Sequence, residues 1–181
     1  MIQYIIRYGV IAGLMVAIPM TAYMLSLPAD TQSPPSMLAT YFIMLVSLSM
    51  VFVGIRQYRD RALGGAIDFT PALGLGLAIS GVAGIFYAAA WEVCQIFMKF
   101  DFADFYANAM IENVRAAGGS PEAVAAAAKR AEDFLQLYAN PFFRVPMTFL
   151  EIFPVGVLVS LASAGLLRNS RFLPARSSLQ G

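Results

Sequence analysis

Two carboxylates stand inside otherwise apolar stretches of the chain: Glu92 in GIFYAAAWEVCQIF and Glu151 in NPFFRVPMTFLEIFPVG. An ionisable group placed in hydrocarbon costs about 2.5–3.5 kcal/mol at the centre of a spanning helix, so such groups mark functional sites unless they are satisfied locally. Three chemistries are open to this pair. They could share a proton as part of an ion pathway, or bind a cationic or hydrogen-bond-donating ligand. Alternatively each could be satisfied structurally by Arg144, Lys99, Tyr87, Thr148 or water. The candidate intramembrane polar site is therefore Glu92, Glu151, Arg144, Thr148, Trp91 and Tyr87. If one apolar run ends at residue 98 and the next begins at 145, each glutamate lies six residues from the same end of its helix. At 1.5 Å per residue that is a common depth of about 9 Å. Stepping 100° per residue puts Arg144, Met147 and Thr148 on the face of Glu151, until Pro154 interrupts the helix.

These positions require a membrane. Of 181 residues, 59% are hydrophobic and 13% charged, against about a quarter charged in soluble domains. Four apolar runs, about 8–27, 37–55, 71–98 and 145–167, reach the roughly 20 residues that cross a hydrocarbon core about 30 Å thick. The first exceeds the usual length of a signal-peptide core and is read as a retained helix. Arg7, the cluster Arg56, Arg59 and Arg61, and the group Arg168, Arg171 and Arg176 flank one side of these runs, while the link PADTQSPPS carries no basic residue. Both termini are thus expected in the cytoplasm. Arg56, Arg59 and Arg61 are also candidate contacts for lipid headgroups. Gly64-Gly65 permits a tight turn into the third run.

Small residues at four-residue spacing mark close helix contacts: Gly9, Gly13, Ala17 and Thr21; Ala72, Gly76, Ser80, Gly84 and Ala88; Gly156, Ser160 and Ala164. The first, third and fourth runs are expected to pack closely and the second to lie more peripherally. The third, at 28 residues or about 42 Å, must tilt or project. Between 101 and 139 the composition changes to two amphipathic stripes separated by Gly118-Gly119, the second opening at Ser120-Pro121 and ending at Asn140-Pro141. This is an extracytoplasmic helical hairpin with an acidic excess on its polar faces, and Pro146 is read as starting the last helix.

Other chemistries find little support. The chain has no histidine, which removes the commonest metal ligand and general base. Cys94 is the single cysteine, so no internal disulfide forms. The glycines of LGLGLAISG belong to an apolar helix and not to a phosphate loop. No catalytic, cofactor-binding or metal-binding residue is assigned, no cofactor is expected, and near-neutral net charge offers nothing to nucleic acid.

RYGVIAG, VFVGIRQYRDRALGGAIDFTPALGLGL, the AWE of the third run, YANPFFRVPMTFLEIFPVG and LLRNSRFLP together resemble the bacterial membrane-protein family known as domain of unknown function 4199. The resemblance covers nearly the whole chain and implies a four-helix bacterial membrane protein, with no chemistry to carry onto residues here. The expectation is one integral membrane domain over 1–181, all-α and polytopic, in the bacterial inner membrane. Beyond the lipid bilayer, its expected partners are further copies of itself or another membrane protein. A non-catalytic binding or self-assembling role comes first. A proton- or cation-linked transporter using Glu92 and Glu151, as an oligomer, comes second, and a membrane enzyme third.

Overall fold

The computed structural model describes residues 1–29, 31 and 36–174; Arg176 and residues 30 and 32–35 of the first link lie outside them. Every regular element among the described residues is helical: α1 (Ile2–Ser26), α2 (Met37–Ala62), α3 (Phe69–Phe97), α4 (Phe102–Ala116), α5 (Pro121–Tyr138) and α6 (Pro141–Leu167). Four of them, α1, α2, α3 and α6, are long and apolar enough to cross a membrane. The chain is an all-helical polytopic membrane protein.

Small residues decide the closest approaches. A Cβ added at Gly156 would lie 2.6 Å from the Cβ of Ser80, and one at Gly76 would lie 2.9 Å from that of Ser160, so α3 and α6 meet through a reciprocal glycine–serine pair. Within this contact the Ser160 hydroxyl donates to the Gly156 carbonyl at 2.7 Å, and the Ser80 hydroxyl lies 3.3 Å from the same carbonyl. On the other side of α3, Gly9 and Gly13 of α1 take up Val82 and Phe86, each within 2.5 Å of a would-be Cβ. Helix α3 is thus gripped between α1 and α6.

The expectation for the second run needs correction. Helix α2 packs against both α1 and α6, and its Met44, Leu48, Val51 and Ile55 are completely buried. The first and fourth spans, expected to touch, occupy opposite corners of the bundle and make no contact. Small residues report where backbones approach most closely, whereas large apolar side chains fill a core across wider helix separations. A run without a small-residue ladder can therefore still lie at the centre.

Replacing Gly156 with valine is expected to lower stability by about 1–3 kcal/mol, because the added atoms displace Ser80 from a filled contact. Gly74→Ala, where a Cβ meets nothing within 4 Å, should change it by no more than about 0.5 kcal/mol or raise it slightly. Unfolding midpoints of the two variants in the same detergent give the check.

The hairpin follows its caps. Asp101, Ser120 and Asn140 each accept a backbone N–H of the following helix, and Pro121 and Pro141 occupy first turns. Because Asn140-Pro141 caps α6, the last span begins four residues before the expected 145, and Pro146 lies inside it. An Asn-Pro pair is a start signal as much as a stop, since proline at the first helical position forfeits a hydrogen bond the helix does not make there. Helices α4 and α5 pack on each other through Ala107, Ala127 and Ala131, and α4 touches the bundle at its first residue, where Phe102 packs against Trp91 of α3. The hairpin projects beyond the end where α3 finishes and α6 begins.

Candidate functional site

At the base of the hairpin, α3, α5 and α6 converge, and the sequence explains why polar groups gather there. The junction Ala139-Asn140 is too short to let α5 and α6 separate, so Tyr138 at the end of α5 is held beside Arg144 in the second turn of α6. The Arg144 guanidinium makes a fork-to-fork pair with Glu92 of α3: Nε to Oε1 at 2.7 Å and Nη2 to Oε2 at 2.6 Å. Its remaining nitrogen, Nη1, donates to the Tyr138 carbonyl at 3.0 Å, and its carbon lies 5.5 Å from the centre of the Tyr138 ring. Bidentate geometry in a partly buried place is the strongest form an ion pair takes.

The Tyr138 hydroxyl accepts from the Trp91 indole N–H at 2.7 Å and from the Gln95 amide at 3.1 Å. Trp91 in turn meets Phe102 edge-on at 4.9 Å between centroids, and Phe134 lies 5.0 Å from Tyr138. One turn of α3 therefore carries Trp91, Glu92 and Gln95, which between them hold the first helix of the hairpin, the last residue of the second and the start of α6.

Burial pushes the Tyr138 phenol up to about 12, a cost the donated indole N–H offsets only in part. Its folded value lies above the ordinary value near 10, so its contribution to docking is complete below about pH 10 and is lost as the pH rises through 12. Detachment of the hairpin in that window should shift the emission of Trp91, the only tryptophan. Tyr138→Phe should remove the alkaline transition. The same variant should lower stability by about 1 kcal/mol at neutral pH, having stranded two donors.

Glu151 belongs to a different contact. Its Oε2 accepts from the Tyr87 hydroxyl of α3 at 3.1 Å. Tyr87 is buried, while Glu151 stands on the exposed face of α6 in line with Met147, Pro154 and Leu158. Thr148 bonds back to the Arg144 carbonyl at 2.9 Å and reaches neither carboxylate.

The expected common depth is thus corrected. With α6 beginning at Pro141, Glu151 is ten residues into its helix and Glu92 only five from the end of α3, an offset of about 7.5 Å. Antiparallel register pairs Tyr87 with Glu151 and Glu92 with Arg144. The six polar residues named from the sequence gather around the upper turns of α3 and α6, but each carboxylate takes a different partner. Tyr138 and Gln95 were missed; for Tyr138 the signal available was an aromatic residue two positions before the Asn140-Pro141 pair.

At the opposite end of the bundle, the lipid-headgroup assignment fails for Arg59. Its side chain is completely buried. Nε donates to Asp60 at 2.6 Å, Nη1 to the Phe172 carbonyl at 3.0 Å and Nη2 to the Leu173 carbonyl at 2.5 Å. It clamps the turn that follows α6 onto α2. Because α2 runs on to Ala62, its last turns pass beside the end of α6, and the side chain at 59 points inward. Arg56, paired with Asp60 at 3.5 Å, and Arg61 remain exposed or half-exposed.

No group of three or more metal-ligating side chains occurs among the described residues. No curated protein and no solved structure matches the chain. A family described as "Protein of unknown function (DUF4199)" matches residues 7–169, taking in all four membrane-length helices from the second turn of α1, the hairpin, the Glu92–Arg144 pair and Arg59. By that match, the chain belongs to this family.

Proposed function

We propose that this is a non-catalytic protein of the bacterial inner membrane, with both ends cytoplasmic, that binds a membrane-protein partner or further copies of itself through the α4–α5 hairpin. One observation carries the reading. The hairpin is held at its foot by the contacts of Trp91, Tyr138 and Arg144 and leaves Asp101, Asp104, Glu112, Glu122, Glu132 and Asp133 exposed. An element held only at its foot and charged along its faces is suited to presenting a surface. Exposed Arg115, Lys129 and Arg130 leave that surface acidic on balance, which favours a basic partner face. Photoreactive residues placed along the hairpin in cells should capture a recurrent neighbour, and Glu122→Lys, Glu132→Lys and Asp133→Lys together should abolish the capture. A hairpin that captures nothing recurrent, in a protein still folded in the membrane, would sink the proposal.

Transport is the second reading, favoured by Glu151, whose carboxylate is exposed within a spanning helix and hydrogen-bonded to Tyr87. Arg144 neutralises Glu92, so any proton traffic would depend on Glu151. Reconstituted vesicles with a pH-sensitive dye test this: proton flux that Glu151→Gln removes would support transport, and absence of flux in the wild type would exclude it.

A further inference from the structure

Helices α1 and α2 leave a groove of about 550 Å³ on their outer seam, lined by Ile11, Leu14, Ile18, Phe42, Ile43 and Val46 among others. The one polar group in its wall, the Ser47 hydroxyl, is already committed to the Ile43 carbonyl at 2.7 Å. The groove lies within two membrane-length helices, so its natural occupant is a hydrocarbon chain, and the charge beyond its lower end says which kind.

The register of the two helices follows from their contacts. Tyr4 packs edge-on against Tyr58 at 5.3 Å, and Tyr8 lies against Gly54. Stepping along α1 and back along α2 from these pairs puts Arg7 level with Ile55, one residue from Arg56, and puts Ile18 level with Met44, between Ile43 and Val46. At 100° per residue Arg7 falls within about 40° of Ile11, Leu14 and Ile18, so it continues the groove-lining face of α1 one turn below its end. Arg61 follows Ile43 on α2 by eighteen residues, which is five turns and the same face. In the same register it lies level with Met1, about 9 Å below Arg7, so the two long side chains meet at one phosphate by turning toward each other. Both arginines are exposed, and neither has a carboxylate partner among the described residues.

The depth agrees. Ile11 to Pro19 lie four to twelve residues above Arg7, or about 6–18 Å. Half a hydrocarbon core is about 15 Å, under a headgroup layer of about 5–7 Å. A phosphate at Arg7 therefore places the acyl chain of the same lipid at the height of the groove. Tyr4, Tyr8 and Tyr58 cluster at this level, where aromatic belts mark the interface.

We infer that the α1–α2 seam is a binding site for one anionic phospholipid, its phosphate held by Arg7 and Arg61 and one acyl chain lying in the groove between Ile11–Pro19 and Phe42–Ser47. The site is distinct from the hairpin and does not depend on what the hairpin binds. Arg56, engaged with Asp60, flanks the headgroup without being its anchor.

Phosphatidylglycerol carrying a photoactivatable diazirine in its acyl chain, and phosphatidylcholine with the same chain, supply the test in bilayer nanodiscs. Phosphatidylglycerol should label residues 11–19 and 42–47 many-fold more than phosphatidylcholine. Arg7→Gln and Arg61→Gln should each reduce that labelling about fivefold, and together bring it to the phosphatidylcholine level. Arg7→Lys with Arg61→Lys should retain most of the preference, and Val46→Trp should block labelling by either lipid. Circular dichroism and gel filtration report whether each variant is folded. Equal labelling by the two lipids would reduce the groove to ordinary annular contact and overturn the inference. So would a preference that survives the double glutamine variant, or dimers crosslinked through the seam with neither lipid bound.

Discussion

Glu92→Gln is expected to destabilise the protein by about 2–3 kcal/mol and to loosen the hairpin at its base. The carboxylate holds both forks of Arg144, and the two side chains are 28% and 13% exposed, so an arginine left without its partner is only partly hydrated. Breaking a fully buried pair costs about 3–5 kcal/mol, and the residual solvent access lowers the figure. Arg144→Gln should cost a similar amount and additionally release the Tyr138 carbonyl. The double variant should be less damaging than the two losses added, with a coupling of about 1–2 kcal/mol, because neither group is then left alone. Unfolding free energies of the four proteins in one detergent give the cycle, and Trp91 emission shows whether the hairpin detaches with the pair. Additive losses would mean that the two groups act separately despite the 2.6–2.7 Å contacts.

Arg59→Ala should have the larger effect at the other end of the bundle, about 3 kcal/mol or more. The change empties a completely buried volume and leaves the Phe172 and Leu173 carbonyls without their donor. It also removes one of the two cations on Asp60, which Arg56 then holds alone. The loss should be local as well as global: backbone amides at 168–173 should exchange faster, and this turn should become the first site of proteolysis. Arg59→Lys keeps the charge but replaces a planar fork, whose separate nitrogens reach Asp60, Phe172 and Leu173, by an ammonium with its three donors on one atom, so it should recover only part of the stability. Unchanged exchange at 168–173 in Arg59→Ala would show that the clamp does not hold that turn.

The two sites differ in how far the sequence foretells them. That Glu92 and Arg144 are both near the hairpin end follows from run lengths alone, and their types make a pair one of a few options. Arg59 is different: three arginines within six residues after an apolar run look alike in sequence, and the positive-inside rule accounts for all of them equally. Only the angular position of residue 59 on a helix that continues to Ala62 turns that side chain to the core.

What the sequence by itself determined is local and periodic: four helices of membrane length, a capped amphipathic hairpin, and the small-residue ladders at Gly9–Gly13, Gly76–Ser80–Gly84 and Gly156–Ser160 that mark the closest contacts of α3. Composition and spacing within one segment suffice for these, because hydrophobic length, capping and backbone approach are properties of the segment. The tertiary structure decided everything that depends on the height of one helix against another. Interlocking Gly76 with Ser160 and Gly156 with Ser80 sets α3 against α6. In that register Glu92 meets Arg144 and Glu151 meets Tyr87, whereas a slip of one turn, about 5.4 Å, would part both pairs. The same dependence brought α2 into the core and Arg59 with it, since burial of a large side chain is settled by the space its neighbours leave and not by its own sequence.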